Sequence, residues 1–169
     1  MRYTAGMNQQ TTEPRWLDAD EREAWLGLLG VTLLLPTLLD SQLQRDAGLT
    51  TFDYLVLAML SESPERTLQL KTLARLSNGS LSRLSHTVTR LEKRGWIRRE
   101  TSPTDGRATI AVLTDEGYGK IVETAPGHVD LVRRMVFDSL DADDVPLIGR
   151  SMWRILTAID PSWRPVSAS

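Results

Sequence analysis

Apolar residues recur with helical spacing in six segments of this chain and with strand spacing in two. Asp18, with Glu21 three residues on, resembles a capping box and opens a helix expected to reach about Arg45. Trp25, Leu28, Leu29, Thr32, Leu39 and Leu43 share one side of it, while Leu26, Leu33 and Leu34 are apolar elsewhere. A helix apolar nearly all round needs cover on more than one face, and a second chain is the natural cover in so small a protein. Pro36 is expected to kink it. Thr50 or Thr51 begins a second helix that stops near Pro64, and a short third helix is predicted from about Leu68 to Leu76. After the turn Ser77-Asn78-Gly79 an amphipathic helix runs from Ser80 to Arg94, with Gly95 at its C-terminal cap.

That fourth helix carries the chemistry. At about 100° per residue, Leu81, Leu84, Val88, Leu91 and Gly95 form an apolar floor. Arg83, His86, Thr87, Arg90 and Arg94 form a roof without an acid, which suits a polyanion. Trp96–Glu100 and Arg107–Leu113 then read as a two-stranded hairpin around Ser102-Pro103-Thr104-Asp105-Gly106, with Asp-Gly suited to positive φ. Thr114-Asp115-Glu116 caps a fifth helix expected to bend at Pro126-Gly127. Asp141–Asp144 starts a sixth, in which Val145, Ile148, Met152, Ile155 and Ile159 make a narrow seam for another helix, of the same chain or a partner.

Composition adds three exclusions. At 169 residues, 41% apolar and 25% charged, the chain reads as one domain, residues 16–169, after a flexible arm over residues 1–15. It has no cysteine, which excludes disulfides and thiol chemistry and fits a cytoplasmic setting. The longest uncharged run, Ala24–Leu39, holds 16 residues and Pro36, short of the ~20 that span a bilayer, so no membrane partner is expected. The formal charge of −2 hides an asymmetry: residues 66–109 hold ten basic and three acidic residues, a net +7, leaving −9 elsewhere. A basic centre in an acidic scaffold is the footprint of a nucleic-acid module.

A short helix, a Gly-containing turn, a basic-roofed helix and a hairpin describe a winged helix-turn-helix, about residues 50–114. The second helix would enter the major groove of double-stranded DNA, and Arg107 at the wing tip the minor groove. Asp105 is either an ordinary turn aspartate or the residue that aims Arg107. Of Arg98 and Arg99, which alternate in facing, one at most should point at DNA. Ser80, Ser82 and Ser85 are candidates for DNA contact, at least one of them for capping; Trp96 reads as core.

The stretch LARLSNGSLSRLSHTVTRLEKRGWIRRETSPTDGRATIAVLTDEG resembles the core of the MarR family of transcriptional regulators, notably in VTRLEKRGWIRR, the tip DGR and the junction LTDEG. The resemblance implies a mostly α fold with a β-hairpin wing, flanked by dimerisation helices over about 18–46 and 115–160. It further implies a homodimer that represses from a pseudo-palindromic operator and is released by a small ligand. The chain departs from the family at Ser85-His86, where many members carry Thr-Arg, and at Gly106, where many carry a basic residue. His128 lies where the family places its ligand cavity, and Trp16, Trp25 and Tyr54 are candidates to line it around a small aromatic or phenolic compound; plain core or surface roles compete for all four. No HExxH, P-loop, GxGxxG or GxSxG motif and no metal or cofactor set is present, so no enzyme is expected. The rival reading is a winged-helix module that meets a protein instead of DNA.

Overall fold

Helical spacing becomes helix at all six expected places. The computed structural model describes residues 14–162, so most of the expected N-terminal arm lies outside the described residues. The helices are α1 (Ala19–Ala47), α2 (Thr51–Glu62), α3 (Leu70–Leu76), α4 (Leu81–Lys93), α5 (Asp115–Met135) and α6 (Asp144–Ile159). The strands are β1 (Thr67–Gln69), β2 (Ile97–Thr101) and β3 (Thr109–Leu113), an antiparallel sheet in the order β1-β3-β2. The described residues divide into two compact units, which meet in sequence between Leu34 and Leu35.

In the first unit the reciprocal capping box is present. Glu21 N donates to Asp18 Oδ1 at 2.8 Å and Asp18 N to Glu21 Oε2 at 3.1 Å. Trp25, Leu26, Val31, Leu33 and Leu34 each expose more than half of their surface. By length and composition alone α1 could cross a bilayer: its best window has a mean hydropathy of 1.5. The uncharged run is too short for that by itself, but the helix extends well beyond it and tolerates its flanking charges.

The second unit is built on leucines. Leu43, Leu49, Val56, Leu57, Leu60, Leu73, Leu84, Val88 and Leu91 are fully buried in one cluster with Ile97, Ala111 and Leu113 of the sheet. Each such side chain contributes on the order of 1.5–3 kcal/mol by leaving water, which fixes α4 on its floor. Leu81, expected in that floor, is 56% exposed, because its place at the helix start overhangs the core. Thr50 caps α2 through a full capping box with Asp53, and Ser80 caps α4 by accepting from Arg83 N at 3.1 Å. Gly95, at φ 75°, turns the chain from α4 into β2. Gly117 lets α5 approach β2: a Cβ there would sit 2.2 Å from the Trp96 carbonyl oxygen.

Two expectations need correction. The wing sheet has a third strand, β1, pairing Thr67 with Val112 and Gln69 with Ile110; three residues are too few to show alternation. Gly106 is not left-handed: the positive-φ glycines among the described residues are Gly48 and Gly95. The wing is closed by hydrogen bonds instead, Ser102 N to Ala108 O at 2.8 Å and Ala108 N to Asp105 O at 2.9 Å. Pro36 and Pro126 each lie inside a continuous helix, α1 and α5.

Where α2 meets α5, the Tyr54 and His128 rings lie 4.4 Å apart at 46°. Burial, with Glu62 adding to it, raises the Tyr54 hydroxyl above its usual range, and burial lowers the His128 imidazole below its ordinary 6.5. The unfolded chain therefore binds a proton at His128 that the folded chain resists, and folded-state stability falls as pH drops below 6.5. The His128→Phe variant, which keeps a ring against Tyr54, should lose less melting temperature than the parent between about pH 7.5 and about pH 5.5. An identical loss in both proteins would show that His128 contributes nothing to the acid sensitivity.

Candidate nucleic-acid interface

The interface is built from two parts of one unit, the exposed side of α4 and the tip of the β2–β3 hairpin. Packing, rather than residue type, sets which side of α4 is outward. Its buried residues are Leu84, Thr87, Val88 and Leu91. At about 100° per residue the direction opposite their centre runs through Ser82 and Lys93, with His86 and Thr89 within roughly 30° of it. Arg83, Arg90 and Arg94 lie roughly 70–110° away, on the flank toward α2. The outward face is thus Ser82, His86, Thr89 and Lys93, of which the sequence pattern singles out only the first two. Lys93 escapes it because it is not on the arginine side of the wheel, and Thr89 because nothing in its type marks it.

Thr87, expected on the roof, is 3% exposed. It sits between Leu84 and Leu91 in the helical repeat, among the buried residues of α4, so it is packing rather than surface. The arginine flank is already engaged. The Arg90 guanidinium donates to Asp53 of α2, a carboxylate 3% exposed. Arg94 donates to the Gly48 carbonyl at 3.1 Å and lies 5.0 Å from the Trp96 ring. Arg83 lies 4.1 Å above the ring of Phe52. Arg83, His86 and Arg90 border an open cavity of about 500 Å³ with Thr50, Phe52 and Asp40.

The other flank joins the wing. Arg99 of β2 donates to Thr89 Oγ1 and to the Ser85 carbonyl at 3.4 Å, and it pairs with Glu92 at 3.4 Å. This side chain is a strut between strand and helix, so of the two strand arginines Arg99 turns inward. Arg98 lies on the other face of the sheet, paired with Glu100. Ser80 is occupied as the α4 cap, Ser82 is exposed, and Ser85 is half-buried beneath Arg99.

At the wing tip the Asp105 carboxylate accepts from Arg107 N at 3.1 Å. It shapes the backbone that presents Arg107 and makes no ion pair with it. Among the described residues no hydrogen bond or ion pair engages the side chains of His86, Lys93 or Arg107, and all three are exposed. The interface therefore offers three unengaged basic side chains, two on the helix face and one at the tip. Of the nearby acids, Glu92 is paired with Arg99, and Asp105 is engaged by the backbone of its own turn.

Of the four residues expected around a ligand, Tyr54 and His128 are brought together. Trp16 and Trp25 belong to the first unit and are 81% and 51% exposed. His128 Nδ1 and Gln42 Oε1 are buried without a hydrogen-bond partner among the described residues, and Gln42 Nε2 donates to Asp46 at 3.0 Å. No group of three or more His, Cys, Asp or Glu able to hold a metal ion occurs among the described residues.

Known proteins share this fold. The model of the MarR family matches residues 49–109. The HTH-type transcriptional regulator MhqR of Bacillus subtilis is 28% identical over 109 residues, 64% of this chain and 72% of its own. Among solved structures, Sco3205, a MarR family transcriptional regulator from Streptomyces coelicolor in complex with DNA, is 47% identical. It superposes with a TM-score of 0.82 over 89% of this chain and 94% of that one. AbsC, a MarR family transcriptional regulator of the same organism, is 37% identical with a TM-score of 0.81, over 88% of this chain and 100% of that one. With nearly half of its residues shared with Sco3205 over almost the whole length, the chain belongs to the MarR family of transcriptional regulators.

Proposed function

We propose that this regulator is a cytoplasmic homodimeric repressor that reads a pseudo-palindromic operator and leaves it when a small aromatic or phenolic ligand binds. The observation that carries the DNA reading is the unpaired basic character of the two exposed elements: His86 and Lys93 on α4 and Arg107 on the wing. In this reading α4 lies in the major groove, where Ser82 and His86 meet base edges and Lys93 a phosphate. Arg107 enters a minor groove narrowed by A·T pairs. Sco3205, similar over almost the whole chain, is in complex with DNA in its structure, which supports DNA as the partner. A protein partner in place of DNA is disfavoured, because a face of serine, histidine, threonine and lysine lacks the aromatic anchors on which protein interfaces depend.

Dimerisation rests on uncovered apolar surface. α6 has no buried residue, and Leu147, Trp153 and Ile159 are 52%, 46% and 76% exposed. Lipid is a poor cover for it: its 16 residues reach about 24 Å at 1.5 Å each, short of a ~30 Å hydrocarbon core. A second copy is the cover that suits α6, through a symmetric contact, and the apolar sides of α1 call for a cover of the same kind. For the ligand, the Tyr54–His128 pair with the unpartnered Gln42 Oε1 supplies an aromatic wall and polar groups.

Fluorescence anisotropy on the DNA flanking the protein's own gene, with excess competitor, tests the reading. Saturation at one dimer per site is expected, with affinity falling steeply as salt rises. The variant Lys93→Ala should weaken binding to all duplexes and lower the salt slope by about one for each phosphate that the lysine neutralised. His86→Ala should cost affinity only on the selected site. Unchanged binding in both variants would remove α4 from the interface. Arg107→Ala should lose more affinity on A·T-rich than on G·C-rich flanks, and equal loss would rule out a minor-groove role.

A further inference from the structure

Asp53 is a buried carboxylate in the first turn of α2, and it faces no solvent of its own. Its Oδ2 accepts from Thr50 N at 3.0 Å, completing the α2 cap, and its Oδ1 accepts from the Arg90 guanidinium. Arg90 is 47% exposed, so one edge of its fork is held in the core and the other remains at the surface. No other cation of α4 is held this way. Arg94 is bound by a neutral carbonyl, Arg83 rests on a ring, and Lys93 has no partner among the described residues. A charge-assisted bond to a fixed acceptor on a neighbouring helix resists sliding and rotation in a way that a leucine floor does not.

Rotation is what matters for reading DNA. A turn of about 20° around the axis of a helix about 11 Å across moves side-chain tips by about 2 Å. That is enough to break a hydrogen bond to a base edge. We infer that Asp53 is a positioning residue for sequence recognition: by holding Arg90 it fixes the rotation of α4, and so decides that Ser82 and His86 face the bases. Arg90 acts as a strut to the core, not as a reader. This inference rests on the DNA-binding reading above.

The test is the ratio of affinities for a selected operator and a random duplex, measured by anisotropy over a salt series. Asp53→Asn keeps an acceptor for Thr50 N while removing the charge that holds Arg90. The expected result is a fall in the ratio on the order of tenfold, comparable with one mismatched base pair. Binding to random DNA should hold or tighten, and its salt slope should steepen as the released Arg90 finds a phosphate. Arg90→Lys, which keeps the charge and drops the fork, should lower the ratio as well. The Asp53→Asn/Arg90→Gln double variant restores a neutral bond between the helices and should regain most of the ratio.

If Asp53→Asn tightens both duplexes equally, Arg90 is a direct contact that Asp53 merely weakens, and the inference is wrong. Equal loss on both duplexes with a lowered melting temperature makes Asp53 a cap and nothing more. A double variant worse than either single one returns Arg90 to the reading face. Failure of the parent protein to prefer any selected duplex overturns the DNA reading and this inference together, whereas an intact parent preference with an unaltered ratio in Asp53→Asn overturns this inference alone.

Discussion

One helix has to be anchored on one side and available on the other, and the rest of the structure follows from that constraint. α4 buries Leu84, Val88 and Leu91 completely, which holds it to α2, α3 and the sheet through contacts that carry no directional preference. Direction is added at the flanks by polar bonds: Arg90 to Asp53 and Arg94 to Gly48 on one side, Arg99 to Thr89, Ser85 and Glu92 on the other. What is left over, Ser82, His86 and Lys93, faces outward because nothing else claims it. Hydrophobic burial places the helix, and charge-assisted hydrogen bonds set its angle.

Much of this is readable from the sequence, where the local signal is strong. Thr50, Ser80 and Thr114 announce their helices, and each does accept a bond from the expected backbone N–H. The three-residue strand β1 is invisible there because its length gives no alternation. The α4 face is legible only in part. Arginines look like a surface, and a helical wheel built from residue types puts its outward direction through them. The actual direction is set by what lies beside the helix. Thr87 is polar yet buried among the packed residues of α4, and Leu81 is apolar yet exposed at its start. The partner of Arg90 is 37 positions away, and no pattern of spacing connects them.

The same division between local and distant information separates the two histidines. His86 stands free on a helix face, and its type and position can be read directly. His128 is half-buried against Tyr54, and its lowered pKa follows from the burial that this packing brings. The sequence marks only its place beside Pro126-Gly127; that α5 sets it against Tyr54 of α2 is a contact between residues 74 positions apart.

The wing tip carries a consequence of a different sort. Its turn is closed by the Asp105 side chain and by backbone bonds, and Gly106 takes no left-handed conformation. A Cβ at position 106 would meet nothing within 4 Å. Geometry therefore places no demand on the identity of that residue, and mutation can change its charge without disturbing the loop. Position 106 is an adjustable dial on a fixed mount: a residue of either charge, or none, fits there, and the electrostatics of the tip can drift by single codon changes while the fold stays the same.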